Sequence, residues 1–211
     1  MKRLAIIGSE DLACQIAHLA ADQHLYQISG FFDDFKPKGS CVSNIPILGG
    51  IEDVQQAFND QLFDEIIIGI GYNHILFRND LFERFQGDIP FGSVIHTSSY
   101  IDKTVTIGKG TVIFPGCTID MQVEIGNNCL FYNGCNIAHD TSVSNNTIFS
   151  PGVNIAGFCK IGAHVLLGIG SVLSDNIVIT EKVRTGAGTV VVNSIVDSGT
   201  YVGVPAKKIK S

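Results

Sequence analysis

Residues 107–143 read IGKGTVIFPGCTIDMQVEIGNNCLFYNGCNIAHDTSV, and cut into sixes this stretch opens every group with a large apolar residue: Ile107, Ile113, Ile119, Ile125, Phe131, Ile137 and Val143. The period extends in both directions. Ile95 and Ile101 precede it, and Phe149, Ile155, Ile161, Leu167, Leu173, Ile179, Thr185 and Val191 come after it. Of these 17 group openings 16 are apolar, where a chain that is 45% hydrophobic would supply about eight by chance. The residue four places further on is small or β-branched throughout, from Ser99, Val105 and Thr111 to Thr189 and Ile195. A period of six unbroken over about 100 residues marks a solenoid built from hexapeptides.

Three hexapeptides make one 18-residue coil of triangular section, with a short strand on each side and a turn at each corner. The architecture predicted for residues 93–211 is therefore a left-handed parallel β-helix, its coils about 4.8 Å apart. The large residue points into the prism and the smaller one fills the space beside a corner. Cys117, Cys129, Cys135 and Cys159 all take the smaller slot, so they read as buried apolar residues rather than nucleophiles or metal ligands. The six cysteines form no C-x-x-C pair, and no metal site is expected. Flat, weakly charged prism flanks predict closure into a homotrimer.

Residues 1–92 have a different pattern. Leu4–Ile7, Tyr26–Phe32 and Asp64–Ile70 read as buried strands, and Asp11–Asp22, Ile51–Phe58 and His74–Phe85 as helices. Strands alternating with helices predict an α/β, Rossmann-like parallel sheet. Ligands in such sheets bind beyond the carboxyl ends of the strands, here near Gly8, Asp33 and Gly71.

Composition narrows the function. Fourteen basic against 20 acidic residues give a formal charge of −6, so neither a nucleic acid nor an anionic membrane is an expected partner. Charged residues are only 16% of the chain, fitting a surface partly covered by other subunits. The mean hydropathy is +0.27, yet no apolar run approaches a membrane span. The apolar part of the first residues is too short for a signal peptide, so a cytoplasmic protein is expected.

Four segments carry a resemblance: Gly30-Phe31-Phe32-Asp33-Asp34, Ile70-Gly71-Tyr72-Asn73, Ile137-Ala138-His139-Asp140, and the ending Val202-Gly203-Val204-Pro205-Ala206-Lys207-Lys208. With a Rossmann-like half joined to a hexapeptide half, the chain resembles the sialic-acid O-acetyltransferases and nucleotide-amino-sugar N-acetyltransferases of the bacillosamine and perosamine type. The likeness runs from Leu4 to Lys208. It implies acetyl transfer from acetyl-CoA to a nucleotide-linked 4-amino-4,6-dideoxy sugar, in a cleft between subunits of a trimer. His139 would be the general base and Asp140 the carboxylate supporting it. Acetyl-CoA would lie near Ile148, Gly157, Ile169 and Ala187. The nucleotide sugar would lie near Glu10, Asp11, Leu12, Asp33, Asp34, Lys36, Gly71 and Asn73.

The residue chemistry agrees for His139, since an imidazole of pKa about 6.5 suits removal of a proton from an attacking amine or hydroxyl. A backbone N–H at Gly157 is a candidate donor to the tetrahedral oxyanion. Cys135 should face inward, so no acyl-enzyme is needed. His18, His24 and His164 read as solvated; His74 and His96 sit at a strand end and at the start of the repeat.

The chain departs from the family pattern where a glycine-rich loop is expected, with Glu10, Asp11 and Leu12 in place of glycine and histidine. Tyr132 replaces an asparagine and Ile148 a second histidine. These departures leave open an O-acetyltransferase, an acceptor without a nucleotide, and a non-catalytic trimeric scaffold. A zinc site of the carbonic-anhydrase kind is disfavoured, because His139 and His164 lie 25 residues apart, not a multiple of 18.

Overall fold

The computed structural model describes residues 1–210. It divides into two compact units, Met1–Val94 and the chain from Ile95 onward.

In the first unit, β1 (Arg3–Ile7) lies between β2 (Gln27–Phe32) and β5 (Glu65–Ile68), parallel to both. Two further strands, β3 (Cys41–Val42) and β4 (Ile45–Gly49), extend the sheet; β4 runs parallel to β2, and β3 pairs antiparallel with β4. This hairpin was not expected from the pattern. Its turn places Ser43 and Asn44 at φ 49° and 65°, the two-residue geometry that favours asparagine. Leu4, Ala5, Ile6 and Ile7 are completely buried, so both faces of β1 are covered, as a continuous apolar run requires.

Helices α2 (Val54–Asn59) and α3 (Ile75–Phe85) pack with Ala5, Ile7, Ile66 and Ile68. The helix α1 (Asp11–Asp22) buries Leu12, Ala13, Ile16, Ala17, Leu19 and Ala20. Gly69 allows close approach here: a Cβ on it would lie 2.6 Å from that of Ala13. The predicted helices at 51–58 and 74–85 each begin with a short 3₁₀ turn, Ile51–Asp53 and Tyr72–His74.

The second unit is the β-helix. Its strands stack into three parallel faces. The first carries Tyr100–Ile101, Thr118–Ile119, Asn136–Ile137, Asn154–Ile155, Val172–Leu173 and Val190–Val191. Thr118, Asn136, Asn154, Val172 and Val190 pair in turn at 18-residue spacing. The large inward residues form one core, in which Phe131 stacks on Phe149 with centroids 4.4 Å apart. Full burial of each aliphatic side chain contributes about 1.5–3 kcal/mol.

The smaller slot has a second purpose that explains its mixture of Cys, Thr, Ser and Val. Cys117, Cys129, Cys135 and Cys159 each direct Sγ to the carbonyl 15 residues on, at 3.2–3.3 Å. Ser99, Thr111, Thr141, Thr147 and Ser171 direct their hydroxyls the same way. A short donor here ties each coil to the next at the corner. Burial raises the Cys159 thiol, and the Cys117 contact and burial raise Cys135, so these thiols are held protonated.

The period ends two residues early. Ile195, expected in a smaller slot, pairs with Ile179 at a spacing of 16, and Val183–Thr185 pairs with Gly199–Tyr201 at the same spacing. Gly199–Val202 then forms an antiparallel hairpin with Lys207–Lys210, so the Val-Gly-Val-Pro-Ala-Lys-Lys ending is the turn that finishes the last coil. No helix among the described residues is long and apolar enough to cross a membrane.

Candidate active site

Every sixth residue from Gly110 to Gly188 has a φ between 53° and 73°, the left-handed bend that turns each corner. Glycine adopts it freely, and Asn and Asp tolerate it best among the others. Asp140 is such a residue, at φ 56°, and His139 precedes it. At this corner the backbone bonds run from Asp140 N–H to Met121 O, Phe158 N–H to His139 O, and Asn176 N–H to Gly157 O, at 3.0–3.1 Å. Met121, His139, Gly157 and Asp175 therefore stack in one column, with Gln122, Asp140, Phe158 and Asn176 beside it.

The His139 Nδ1 atom lies 2.9 Å from Asp140 Oδ2, and the two side chains are 43% and 44% exposed. A pair this exposed contributes little to stability, so its effect is on orientation. With Nδ1–H donated to the carboxylate, Nε2 keeps its lone pair for an incoming proton. Gly157 supplies the space: a Cβ there would lie 2.8 Å from His139 Cε1 and 3.0 Å from Nε2. Gly157 is buried, and its own N–H has no acceptor among the described residues. Phe158 meets the His139 ring edge-on, centroids 5.1 Å apart and planes at 89°. A bulky residue at φ 60° costs about 1–2 kcal/mol relative to an ordinary backbone. Sequence reading missed Phe158 and the half-exposed Met121, although both lie 18 residues from the His139-Asp140 pair or its neighbours.

A shallow open groove of about 390 Å³ runs along the first face. It is lined by Asn136, Ala138, Asn154, Ala156 and Val172 among others, and so ends beside His139. Ile169 and Ala187 are exposed at the other edge of this face, where Gly170 and Gly188 turn the corner. Ile148 is a correction. It is completely buried, paired in register with Leu130 and Leu166, and cannot touch a cofactor. Tyr132 stacks on Phe114, centroids 5.4 Å apart.

In the first unit the strand ends converge as expected: Gly8 N–H bonds to Phe32 O, Asp33 N–H to Gly49 O, and Gly69 N–H to Ile7 O. The predicted ligand residues divide sharply. Leu12 is 6% exposed, in the buried stripe of α1, and offers nothing to a substrate. Asp33 is 8% exposed and already accepts two bonds, from Ser9 Oγ at 2.6 Å and Phe35 N–H at 2.9 Å, which tie the first loop to the second. Asp34 accepts Ile51 N–H at 2.7 Å and so caps the turn that leads into α2. Glu10 pairs with Lys36 at 2.8 Å, which raises the ammonium pKa and removes part of the negative charge expected from the loop. Asp11 is exposed in the first turn of α1, where its charge is favourable to the helix. Gly71 and Asn73 lie on the loop after β5, which buried Arg78 holds through the Ile68 and Ile70 carbonyls at 2.9 and 2.7 Å. Phe35, 96% exposed beside Asp33 and Lys36, was not singled out from the sequence; its ring is a flat apolar surface at the mouth of these loops. No group of three His, Cys, Asp or Glu side chains among the described residues is placed to hold a metal ion.

Residues 3–85 match the family described as the PglD N-terminal domain. No curated protein matches the chain by sequence. Among solved structures, the acetyltransferase domain of PglB from Neisseria gonorrhoeae is 25% identical, with a TM-score of 0.91 over 99% of this chain and 100% of that one. The same domain has been solved with acetyl coenzyme A, again at 25% identity. The chain resembles the hexapeptide-repeat nucleotide-sugar N-acetyltransferases. Its fold also matches perosamine N-acetyltransferase from Caulobacter crescentus, solved with CoA and GDP-perosamine, at 22% identity and a TM-score of 0.93 over 100% of this chain and 98% of that one. WeeI from Acinetobacter baumannii matches at 23% identity and a TM-score of 0.85, covering 99% of this chain and 100% of that one.

Proposed function

We propose that the chain is an acetyl-CoA-dependent N-acetyltransferase acting on the amine of a nucleotide-linked amino sugar, with His139 as general base. The His139–Asp140 pair at an open corner beside the groove carries this reading. The acceptor nitrogen attacks the thioester carbonyl, the C–N bond forms, and the amine proton passes to His139 Nε2. The Gly157 N–H is the donor for the tetrahedral oxyanion. Collapse breaks the C–S bond, and the proton on His139 returns to the departing CoA thiolate. No protein nucleophile takes part, because the nearby thiols are buried in the prism.

Acetyl-CoA is proposed to lie along the first face, near Gly157 at one edge and Ile169 and Ala187 at the other. The nucleotide is assigned to the loops after β1, β2 and β5, with Lys36, Gly71, Asn73 and Phe35 as the side open to it. The outward residues Thr118, Asn136, Asn154 and Val172 of the first face carry no charge, which supports burial against a second copy in a homotrimer. Six free cysteines suit the reducing cytoplasm.

The test is His139→Ala with acetyl-CoA and a panel of GDP-, UDP- and dTDP-linked 4-amino sugars. Turnover is expected to fall about 10²–10⁴-fold with unfolding unchanged, since the ring is exposed. Near wild-type turnover removes His139 from the chemistry. Initial rates should show both substrates bound together; a ping-pong pattern argues for a covalent intermediate and against direct transfer.

A further inference from the structure

We infer that Phe158 is a positioning residue for the base: its ring locks the His139 imidazole in the rotamer that keeps Nδ1 on Asp140 and Nε2 open. The inference rests on the proposed function above. Three observations lead to it. Phe158 occupies a left-handed corner, φ 60°, where the equivalent places carry Gly, Asn, Asp, Gln, His or Lys and no other aromatic of its kind. Its ring is 52% exposed, so it gains little from the core in exchange for that conformation. Its chief partner is the His139 ring, met edge-on at 5.1 Å.

The column explains why a ring is needed. The imidazole lies directly against Gly157, where a Cβ would be only 2.8–3.3 Å from the ring, and a bare glycine gives the ring no side chain to fix its rotation. A flip of the imidazole about its Cβ–Cγ bond exchanges Nδ1 for carbon and breaks the 2.9 Å contact to Asp140 Oδ2. Phe158, one coil on from Asp140, supplies the side chain that Gly157 lacks, its ring standing at 89° to the imidazole. Strain kept at an exposed residue next to a reactive group is the pattern expected when the backbone conformation serves the site.

Substitution separates a merely structural phenylalanine from a positioning one, because stability and turnover then move in opposite directions only for the second. Phe158→Asn places a residue suited to the left-handed bend, so the melting temperature should rise. In the same variant kcat should fall about tenfold with KM for acetyl-CoA unchanged, because the misplaced group acts in the transition state. Phe158→Tyr keeps the ring edge and should restore most of kcat. Independently of any acceptor, ¹⁵N spectra of the imidazole, assigned against His139→Ala, should show a single Nδ1–H tautomer in the wild type and a mixture in Phe158→Asn.

The inference is overturned if Phe158→Asn keeps wild-type kcat and a single tautomer, if its kcat falls together with its melting temperature, or if Phe158→Tyr loses as much as Phe158→Asn. His139→Ala separates the two levels. If it abolishes turnover while Phe158→Asn does not, only the positioning role falls; if neither variant loses turnover, the assigned chemistry falls.

Discussion

Two acidic residues, Asp140 at a corner of the β-helix and Asp33 just after β2, show how the two units treat a carboxylate. Asp140 is 44% exposed at the side chain and bonds to a single exposed imidazole. Asp33 is 8% exposed and holds a hydroxyl and a backbone N–H from two different loops. The difference arises from the backbone. At the His139–Asp140 corner the main chain is tied to the coils before and after it, and Thr141 Oγ1 and Cys159 Sγ in the smaller slot add bonds to the Ala156 and Ser174 carbonyls. The His139–Asp140 corner thus keeps its shape without help from these two side chains, whereas at another corner Asn128 and Asn146 hold each other, Nδ2 to Oδ1. In the βαβ unit the loops after β1 and β2 have no such ladder, so side chains must hold them, and Asp33, Asp34 and Glu10 are engaged in doing so.

This contrast can be broken at several points. Gly157→Ala should have the largest effect on activity, about 10²-fold, because the added methyl displaces the imidazole. Stability should change little, since the displaced ring is the exposed end of a flexible side chain; a large stability loss in urea denaturation would mean that the corner is not independent of the core. Asp33→Ala should do the reverse. It leaves a buried hydroxyl and the Phe35 N–H without an acceptor and should lower stability by about 1–3 kcal/mol. Wild-type stability with lost acceptor binding would instead make Asp33 a substrate contact.

His164, at another left-handed corner, gives the smallest effect. Its Nδ1 is buried without a hydrogen-bond partner, and burial, then the charge of Lys182, lower its pKa, with Glu181 opposing. The unfolded chain therefore takes up a proton on His164 first as the pH falls. Its contribution to stability is complete above the unfolded pKa of about 6.5 and is lost as the pH drops toward the folded value. His164→Asn should flatten the fall in stability between pH 7 and 5, measured by denaturation across that range. An unchanged slope would mean that His164 does not contribute to it.

The period of six made the β-helix legible down to the register, because a prism demands one large and one small inward residue per side. It failed at Ile195, where the spacing drops from 18 to 16 with apolar residues still falling in step. The Cys41–Gly49 hairpin escaped because its strands are short, although Ser43-Asn44 between them is a recognisable turn. At the site, His139 and Asp140 were visible as a polar pair within a periodic frame. Leu12 and Ile148 were assigned by position in a family pattern, and a burial stripe and a covered strand overrule that assignment. Phe158 was hidden because its significance lies in a backbone angle and a contact across coils.

A pile of identical layers carries no instruction to stop, and the uncovered rim of its last layer would accept further strands from any chain. The shortened final coil and the returning Lys207–Lys210 arm occupy that rim with the protein's own backbone. At this end the prism is closed against further strands by its own chain.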